Sequence, residues 1–414
     1  MEVCILISKE RLEQRIELLA QIGKTKEGGV SRIALTKEYR EGLELISEWM
    51  KEAGLNVRLD QAGNLIGRKE GDVPGLKAVA LGSHVDSVGN GGKYDGTVGV
   101  IAGIEVAQHL KEEGISNMRP LEVIAFCEEE GSRFQSGGVF GSRAMAGKLT
   151  KEDLKVTDSN GDSRYKILKD FGLDADNIDK AVRKNTEFEL YLEMHVEQGP
   201  ILIREKAPVG IVTAITGLSL TEVVFEGEPN HVGATPMDLR YDALLGASET
   251  ALAVEEIVNK SGGNAVGTAA TMDVQPSQVN IIPGRVSTVI DIRDTDLESR
   301  EAILDTLEKR IKEICERRNL QYTITSKLKA NPAKSAPHIL ETMRKESQEL
   351  DMKTFEMPSG GGHDAQLMAE ITDMGMIFIR SENGSHNPKE FAKAEDITLG
   401  TNLLANTAIH YMNK

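Results

Sequence analysis

One stretch of the chain, residues 82–100 (GSHVDSVGNGGKYDGTVGV), constrains the fold more than any other. It follows a short apolar run, residues 77–81, that is typical of a buried strand. His84 can bind a cation, Asp86 can hold that imidazole, and Asp95 lies on a glycine-rich return loop. Histidines and carboxylates are the groups that bind divalent ions in proteins, or that orient the ligands of those ions. The stretch therefore predicts a metal site at the end of a strand.

Further side chains that can bind cations follow at long sequence separations. They are three consecutive glutamates and two histidines: Glu128, Glu129, Glu130, His195 and His386. Neutral imidazoles and carboxylates suit zinc, manganese, cobalt or nickel, and a carboxylate can hold two ions about 3.5 Å apart, as two-metal hydrolysis requires. If the glutamate segment is extended, neighbouring side chains point in opposite directions and can take separate roles.

Length and charge limit the classes of protein to consider. A chain of 414 residues exceeds what one core usually organises, so two domains are expected. The net charge of -16 argues against nucleic acid and anionic membranes as general partners. Three cysteines without a CxxC pair indicate neither a disulfide framework nor a thiolate zinc site. The early apolar run at residues 3–7 is too short for a signal-peptide core. We therefore expect a cytoplasmic enzyme with no nucleic-acid or membrane partner.

The first third of the chain alternates predicted helices and strands. Apolar residues at helical spacing precede Gly54, a typical helix C-cap, and two short predicted strands follow it. A helix is predicted over residues 98–110. Residues 121–127 (LEVIAFC) form a nearly unbroken apolar run, typical of a strand buried between two helical layers. This order predicts an α/β sandwich in which the strand ends carry the site.

The middle of the chain has a different pattern. Its predicted elements are a strand within residues 216–230, a helix over 240–258, strands near 267–274 and 286–292, and a helix over 299–318. This order predicts a ferredoxin-like α+β domain, in which two helices back an open-faced antiparallel sheet of four strands. We place this domain at residues 212–330, inserted into a catalytic domain formed by residues 1–211 and 331–414.

Seven ordered motifs carry a resemblance to a known family. They are HVDSVGNGGKYDGTVGV, FCEEEGSRF, EMHVEQGP, GEPNHVGATPM, NIIPGRVSTVIDIRD, SGGGHDA and SENGSHNPKEF. With them the chain resembles the dinuclear-metal amidohydrolases of the M20 metallopeptidase superfamily, and within it the hydantoinase/carbamoylase branch. The resemblance implies a zinc-exopeptidase-like α/β/α catalytic domain and an inserted domain that serves as lid and dimerisation domain. We therefore expect a homodimer.

The resemblance also implies which side chains bind metal. Two divalent ions are expected, zinc first, with manganese, cobalt or nickel as alternatives, and their ligands are His84, Asp95, Glu130, His195 and His386. Asp95 is expected to bridge the ions. Asp86 is expected to orient the imidazole of His84 without binding metal itself. His84 and His195 bind one ion each, or share the pair with His386.

Catalytic roles follow from the same resemblance. The pattern EEG places the general base at Glu129 and leaves Glu128 outside the motif. His231, within GEPNHVGATPM, corresponds to a lid histidine that polarises the substrate carbonyl. Taken alone, it could equally be a surface histidine in a turn.

Substrate binding is assigned in the same way. Arg293 matches a carboxylate-binding arginine, for which a planar guanidinium is well suited, and Asn280 occupies the matching amide position. The competing interpretation pairs Arg293 with a neighbouring aspartate of its strand. Gln198 and His363 are further candidates for substrate contact, unless the first only supports a metal ligand and the second only belongs to a helix-capping turn.

The predicted reaction is hydrolysis of the ureido C–N bond of N-carbamoyl-L-amino acids to amino acid, ammonia and carbon dioxide. The predicted partner is thus a small ureido compound that bears a carboxylate. Allantoate amidohydrolase and β-ureidopropionase stay open, because their substrates present the same groups. A dipeptidase or aminoacylase on the same fold, and a binding protein without activity, are more distant alternatives. Covalent catalysis by Ser83 or Cys127 is disfavoured, because no GxSxG motif is present and the apolar run around Cys127 predicts burial.

Overall fold

The computed structural model describes residues 7–134 and 137–414, so residues 3–6 of the early apolar run, with Cys4, lie outside the described residues. The helices are α1 Lys9–Gln21, α2 Lys37–Glu52, α3 Thr97–Glu112, α4 Phe140–Met145, α5 Arg164–Asp170, α6 Ile201–Glu205, α7 Ala243–Ser261, α8 Leu297–Arg318, α9 Pro337–Glu349, α10 Asp364–Met368 and α11 Ala394–Met412. Short 3₁₀ helices cover Ala175–Ala181 and Met237–Leu239. None of the described helices combines the length and apolar character needed to cross a bilayer.

The strands are β1 Asn56–Leu59, β2 Leu65–Lys69, β3 Ala78–His84, β4 Leu121–Phe126, β5 Phe188–Val196, β6 Val209–Ile215, β7 Gly217–Glu226, β8 Val266–Ala269, β9 Asp273–Gln275, β10 Arg285–Asp294, β11 Gln321–Lys329, β12 Ala333–Lys334, β13 Thr354–Ser359, β14 Asp373–Ile379, β15 Ser381–Glu382 and β16 Phe391–Ala392. The chain divides into two compact units. The first takes in the described residues of Met1–Thr213, with Lys334–Ser359 and His363–Lys414, and the second comprises Ala214–Ala333 and Gly360–Gly362.

A large mixed sheet organises the first unit. Its strands follow the order β1-β2-β4-β3-β5-β14-β6-β12, and β13 pairs with β6. The central strands β4, β3, β5 and β14 run parallel, whereas β2 and β6 join them antiparallel. Every residue of β3 and β4 is buried, which is why their sequences are apolar runs without alternation. The predicted α/β class is confirmed.

Alternate residues of β5 show that both faces of this sheet are covered. Leu192 and Met194 belong to the main hydrophobic core, where α3 and α11 pack on the sheet. Tyr191 and Glu193 point to the other face, since side chains alternate along a strand. There the carboxylate of Glu193 accepts a hydrogen bond of 2.8 Å from the backbone amide of Ala365 in α10. Helices therefore lie on both faces of the sheet.

The parallel strands place the predicted site residues at one edge of the sheet. His84 is the last residue of β3, and His195 is the last but one of β5. The three consecutive glutamates follow β4, and His386 follows β14 in the chain. Because the carboxyl ends of parallel strands meet at the same edge, these residues converge although they are far apart in sequence.

The second unit has an antiparallel sheet and two helices. The strand order is β11-β7-β10-β8, and β9 also pairs with β10. Helices α7 and α8 pack on each other and on β10. Burial alternates along β10, because one face meets these helices and the other stays open. The prediction of four strands was wrong in one respect: the predicted strand near residues 267–274 is divided into β8 and β9, which pair with opposite ends of β10.

Capping residues explain two shifted helix boundaries in this unit. The predicted helix over 240–258 begins only at Ala243, since the side chain of Asp242 caps it by accepting from the amides of Leu244 and Leu245. The predicted helix over 299–318 begins earlier, at Leu297, because Asp296 caps its first turn. Aspartate at the N-cap satisfies backbone amides that have no partner within the helix.

Candidate metal centre

The five side chains predicted to bind metal lie together at the carboxyl edge of the first unit's sheet. They form two overlapping groups, His84 with Asp95 and His195, and Asp95 with Glu130 and His386. Within each group the candidate ligand atoms lie within 4.8 Å of one another. Asp95 belongs to both groups, which is the position expected for a carboxylate between two ions.

The first group joins two buried histidines to one oxygen of Asp95. The Nε2 atoms of His84 and His195 lie 3.4 and 3.2 Å from Asp95 Oδ1 and 3.5 Å from each other. The Nδ1 atom of His84 lies 3.1 Å from the backbone carbonyl oxygen of Asp86, and that of His195 lies 2.9 Å from the carbonyl oxygen of Val196. A carbonyl only accepts hydrogen bonds, so both Nδ1 atoms carry a proton in the neutral rings. Both Nε2 atoms therefore carry a lone pair and lie close enough together to bind one ion, and Nε2 of His195 also accepts from the backbone amide of Gly96 at 3.1 Å.

The second group uses the other oxygen of Asp95. Oδ2 lies 3.5 Å from Nε2 of His386, which in turn lies 3.3 Å from Oε2 of Glu130. The side chain of His386 is 51% exposed, whereas that of Glu130 is 5% exposed. The first group is thus enclosed, and the second is open to solvent on its histidine side.

The charges around these groups fit bound cations. Three carboxylates here are nearly buried: Asp95, Glu129 and Glu130. Within the described residues, their ion pairs are to histidines and none is to a lysine or an arginine. Burial, and then repulsion by Asp95, raise the pKa of Glu130 to about 8. A cluster of buried carboxylates without lysine or arginine partners is costly, and divalent ions are a usual way to compensate it. The donor set of imidazoles and carboxylates suits zinc and the related transition metals.

Without cations, the histidines supply the positive charge. Burial lowers the pKa of His84, but the carboxylates around it, Glu129 first, outweigh burial and raise that pKa well above its ordinary value. Burial alone raises the pKa of Asp95, but the neighbouring His195 and His84 outweigh burial and hold this pKa well below its usual range. Because a ligand imidazole must be neutral, cation binding displaces protons from this site.

Glu129 lies beside the two groups without belonging to either. Its Oε2 atom is 3.6 Å from Nε2 of His84, and its side chain is 12% exposed. Burial raises the pKa of Glu129 well above its ordinary value; His84 opposes this and Glu130 adds to it. The condition of an extended segment is not met, since Glu128 has a left-handed backbone with φ of 57°. A turn, not strand alternation, sends the neighbouring glutamates in different directions.

Asp86 supports the glutamate turn, a contact that the sequence did not predict. Its carboxylate accepts hydrogen bonds of 3.2 Å from the backbone amides of Glu129 and of Glu130. The distance from its Oδ1 to Nδ1 of His84 is 3.8 Å, too long for a hydrogen bond. His84 is oriented by the backbone carbonyl of Asp86 instead. The carboxylate of Asp86 therefore ties the glutamate turn by hydrogen bonds and faces the imidazole of His84 as an ion pair.

Gln198 and His363 both lie beside the first group. The amide Nε2 of Gln198 donates to Oδ2 of Asp95 at 2.8 Å, which is the supporting contact that sequence reasoning left open. His363 is buried, its Nε2 lies 2.8 Å from the hydroxyl of Ser359, and its ring centroid is 4.7 Å from that of His195. Burial, and then the neighbouring His195, hold the pKa of His363 well below its ordinary value.

Sequence reasoning missed Glu390 and Ser385. The carboxylate of Glu390 accepts hydrogen bonds from the backbone amides of Tyr94 and Asp95, at 3.0 and 3.1 Å. The hydroxyl of Ser385 contacts both Asp95 and Glu390. Burial, and then the charge of Asp95, raise the pKa of Glu390 to about 7. Both residues lie in the motif SENGSHNPKEF, which contributes to the family resemblance. The motif does not reveal that Glu390 contacts Asp95, which lies 295 residues away in the chain.

The candidate nucleophiles have other partners. The hydroxyl of Ser83 donates to Glu193 at 2.8 Å. Cys127 is fully buried, and burial raises the pKa of its thiol well above the ordinary value. A protonated and inaccessible thiol is a poor nucleophile.

His231 and Asn280 belong to the second unit. The Nδ1 atom of His231 accepts hydrogen bonds from the backbone amides of Gly233 and Ala234, both at 3.1 Å. In the neutral ring the proton is therefore on Nε2, which leaves an N–H donor on an exposed side chain. The backbone amide of Val232 donates to the carbonyl of Asn280 at 3.1 Å, so both residues lie on neighbouring segments.

Arg293, also in the second unit, pairs with Asp291. Its Nε and Nη2 atoms donate to Asp291 Oδ2 at 3.1 and 2.9 Å, and its Nη1 donates to the carbonyl of Gly360 at 2.9 Å. The pairing with a neighbouring aspartate, which the sequence left open, is thus present. The side chain of Arg293 is still 34% exposed.

A family model matches most of the chain, and two curated relatives match nearly all of it. The model described as peptidase family M20/M25/M40 matches residues 80–410. A protein of Pseudomonas sp. (strain NS671) named N-carbamoyl-L-amino-acid amidohydrolase is 46% identical over 412 residues, which are 99% of each chain. A protein of Geobacillus stearothermophilus named N-carbamoyl-L-amino acid amidohydrolase is 41% identical, over 97% of this chain and 98% of the relative.

A solved structure has the same fold over the same extent. The crystal structure of an amidase of the hydantoinase/carbamoylase family from Burkholderia multivorans superposes with a TM-score of 0.91 and 33% sequence identity. The alignment covers 99% of both chains.

Proposed function

The chain belongs to peptidase family M20/M25/M40, and we propose that within this family it cleaves the ureido C–N bond of N-carbamoyl-L-amino acids. The products are the amino acid, ammonia and carbon dioxide. The observation that carries this proposal is the sequence identity of 46%, over 99% of each chain, to a relative named N-carbamoyl-L-amino-acid amidohydrolase. The two groups of histidines and carboxylates support it, because they offer the donors that a metal-dependent amidohydrolase needs.

Two divalent ions per chain are part of the proposal. His84 and His195 are assigned to one ion, Glu130 and His386 to the other, and Asp95 to both. Zinc is the expected metal, and manganese, cobalt and nickel fit the same donors. When bound, such ions supply the positive charge that lowers the pKa of water and polarises a carbonyl oxygen.

Glu129 is proposed as the general base. It stands 3.6 Å from a ligand imidazole and outside both ligand groups, so its carboxylate is free to handle protons. It takes a proton from the attacking water and returns it to the leaving nitrogen. Burial raises the pKa of this carboxyl, which makes the carboxylate a stronger base than one in water.

The second unit is proposed to bind the substrate. His231 donates its Nε2–H to the substrate carbonyl oxygen on which negative charge develops. This assignment is supported by the two backbone amides that donate to Nδ1 of His231, because they leave the ring proton on Nε2. Arg293 and Asn280 bind the substrate carboxylate. Asp291 keeps the guanidinium of Arg293 oriented. When substrate binds, its carboxylate takes the place of the neutral carbonyl of Gly360 as the acceptor from Nη1 of Arg293.

A substrate panel tests this function. Ammonia release is measured with N-carbamoyl-L-methionine, its D-enantiomer, allantoate and N-carbamoyl-β-alanine, and amino-acid release with N-acetyl-L-methionine and a methionine dipeptide. We expect kcat/KM for N-carbamoyl-L-methionine to exceed every other value by at least about tenfold, because pockets that pair with substrate groups discriminate strongly. A preference for allantoate, for the β-alanine derivative or for an N-acyl or peptide substrate would reassign the enzyme within the family.

We also propose a cytoplasmic homodimer joined through the second unit. Strand β11 lies at the end of its sheet's strand order, and apolar side chains are exposed in this unit at Met237, Leu239, Leu252 and Val279. Sheet edges and exposed apolar surface favour association with a second copy. The cysteines within the described residues, Cys127 and Cys315, are unpaired, as in a reducing compartment. Sedimentation should find a species of twice the 45.1 kDa chain mass, and a single species of one chain mass contradicts the dimer.

A further inference from the structure

The three consecutive glutamates after β4 have three different partners. Glu129 faces His84, and Glu130 faces His386. Glu128, which the sequence motif leaves without a role, turns away from both and is fully buried. Its Oε2 and Oε1 atoms accept hydrogen bonds from Nε and Nη2 of Arg164, at 3.1 and 3.4 Å. The metal centre is therefore flanked by a buried ion pair that contributes no ligand to it.

Arg164 is held rigidly at the first position of α5. Its side chain is 2% exposed, and its guanidinium carbon lies 4.4 Å from the ring centroid of Phe134 and 4.5 Å from that of Phe140. Nη1 donates to the backbone carbonyl of Asp153 at 2.6 Å. A planar guanidinium between two rings has little freedom to reorient, so it can serve as a fixed partner for a carboxylate.

The backbone of the glutamate turn needs such a partner. Glu128 has φ of 57°, a left-handed conformation that residues with side chains adopt only when their surroundings enforce it. The carbonyls of Glu128 and Glu129 accept from the amides of Phe140 and Val139, at 3.1 and 2.7 Å. The carboxylate of Asp86 accepts from the two amides that follow Glu128. Hydrogen bonds to its backbone thus hold the turn, and the contact of the Glu128 side chain with Arg164 holds it as well.

Stability alone is a weak explanation for this ion pair. Burying two charges costs about as much as their attraction returns, and apolar residues of similar volume often serve a core equally well. A buried pair is better explained where it selects one conformation among several. Here the selected conformation is the turn that separates the side chains of Glu129 and Glu130.

We propose that Arg164 and Glu128 are positioning residues: their ion pair fixes the turn that directs Glu129 and Glu130 towards the metal centre. This inference rests on the roles of Glu129 and Glu130 in the proposed function. Neither Arg164 nor Glu128 touches substrate or metal; both act through the two glutamates that do.

Metal binding tests the inference without any substrate. The full chain is freed of metal by chelation, and the dissociation constant for Mn²⁺ is measured by calorimetry for Glu128→Gln and Arg164→Met. We expect Mn²⁺ binding to weaken about 10- to 100-fold, as when the supports of a ligand are removed. The absorption spectrum of the Co²⁺-loaded variants should change as well, because the ligand geometry changes. In turnover, kcat should fall by a similar factor while KM stays within a few-fold of the parent value.

A second buried glutamate with arginine partners in the same unit provides the control. Glu105 in α3 is fully buried and accepts from Nη1 of Arg15 at 2.6 Å and from Nε of Arg11 at 2.9 Å. None of these three residues contacts a candidate ligand among the described contacts. Glu105→Gln should lower the melting temperature and leave the Mn²⁺ affinity, the Co²⁺ spectrum and kcat unchanged.

The outcomes separate a positioning role from a merely structural one. If Glu128→Gln lowers the melting temperature as Glu105→Gln does, but keeps the Mn²⁺ affinity and kcat of the parent, the inference is overturned. Should Glu128→Gln not fold, Arg164→Lys decides between the two roles. Lysine keeps the positive charge but cannot make the bidentate contact with Glu128, so we expect an intermediate loss of Mn²⁺ affinity. An unchanged Mn²⁺ affinity overturns the inference. If the parent hydrolyses no N-carbamoyl amino acid and Glu128→Gln still weakens Mn²⁺ binding, the proposed function fails and the inference holds.

Discussion

At the scale of single residues, Asp95 is the side chain on which the site depends. Its Oδ1 faces two imidazoles, and its Oδ2 faces His386 and the amide of Gln198. Glu390 holds its backbone amide. A carboxylate supported on so many sides cannot rotate freely, so it can keep two ions at a constant separation. Glu129, the proposed base, has an ion pair to His84 alone among the described residues, as suits a group proposed to gain and lose a proton.

The first prediction concerns Glu129→Gln. The amide keeps the size of the side chain but cannot take a proton, so kcat should fall about 10²- to 10⁴-fold. Metal affinity should stay within a few-fold of the parent, because Glu129 lies outside both ligand groups. Steady-state kinetics and metal calorimetry on the same preparation check both points. Turnover at the parent rate would remove Glu129 from the mechanism, and a large loss of metal affinity would make it a ligand instead.

At the scale of elements, the connection from β3 to α3 brings the backbone close to a proposed metal ligand, His84. Gly96, which precedes α3, has φ of 63°, and a Cβ atom at this position would lie 2.4 Å from ring atoms of His84. Only glycine fits here, for reasons of both backbone conformation and space. Glycine at position 96 is thus required by the position of the His84 ring.

We therefore predict that Gly96→Ala displaces His84. The backbone conformation alone, with φ of 63° and ψ of -46°, should cost a residue with a side chain about 1–3 kcal/mol of stability, and metal affinity should fall about 10- to 100-fold. Gly89→Ala is the matched control in the same loop, because a Cβ atom at Gly89 would meet nothing within 4 Å. Equal metal affinity of the two variants, measured by calorimetry, would contradict this description of the loop.

How far the sequence predicts these elements depends on the range of the interactions involved. The apolar runs of β3 and β4 and the ligand spacing around His84 and Asp95 follow from local pattern, and the α/β class is confirmed. The division of one predicted strand into β8 and β9 depends on pairing with β10, which no local pattern records. The left-handed turn at Glu128 and the partner of Asp86 likewise depend on contacts across more than 30 residues. Motif reasoning finds residue types, whereas their directions require the fold.

At the scale of the whole molecule, the buried carboxyls make stability depend on pH and on metal. The pKa of Glu130 is raised to about 8, chiefly by burial, so the folded metal-free protein holds a proton that the unfolded chain has already lost. Between the unfolded and the folded pKa, stability therefore falls as pH rises. Burial acts in the same direction on Glu390, whose pKa is raised to about 7.

We predict that the melting temperature of the metal-free protein falls by a few degrees from pH 7 to pH 9. With Mn²⁺ or Zn²⁺ bound, the fall should vanish, because these carboxyls are then deprotonated throughout and stabilised by the cation. Calorimetric melting of both forms across this pH range checks the prediction. The same fall in both forms would mean that the raised pKa values do not belong to the metal centre.

The most direct test of the central claim counts bound ions against turnover. The chelated chain is titrated with Zn²⁺ or Mn²⁺ while the metal bound per chain and the ammonia released from N-carbamoyl-L-methionine are both measured. Two ions should bind per chain, and ammonia release should return only as the second site fills. Full activity in the chelated protein, or no ammonia release with both sites filled, would contradict the account.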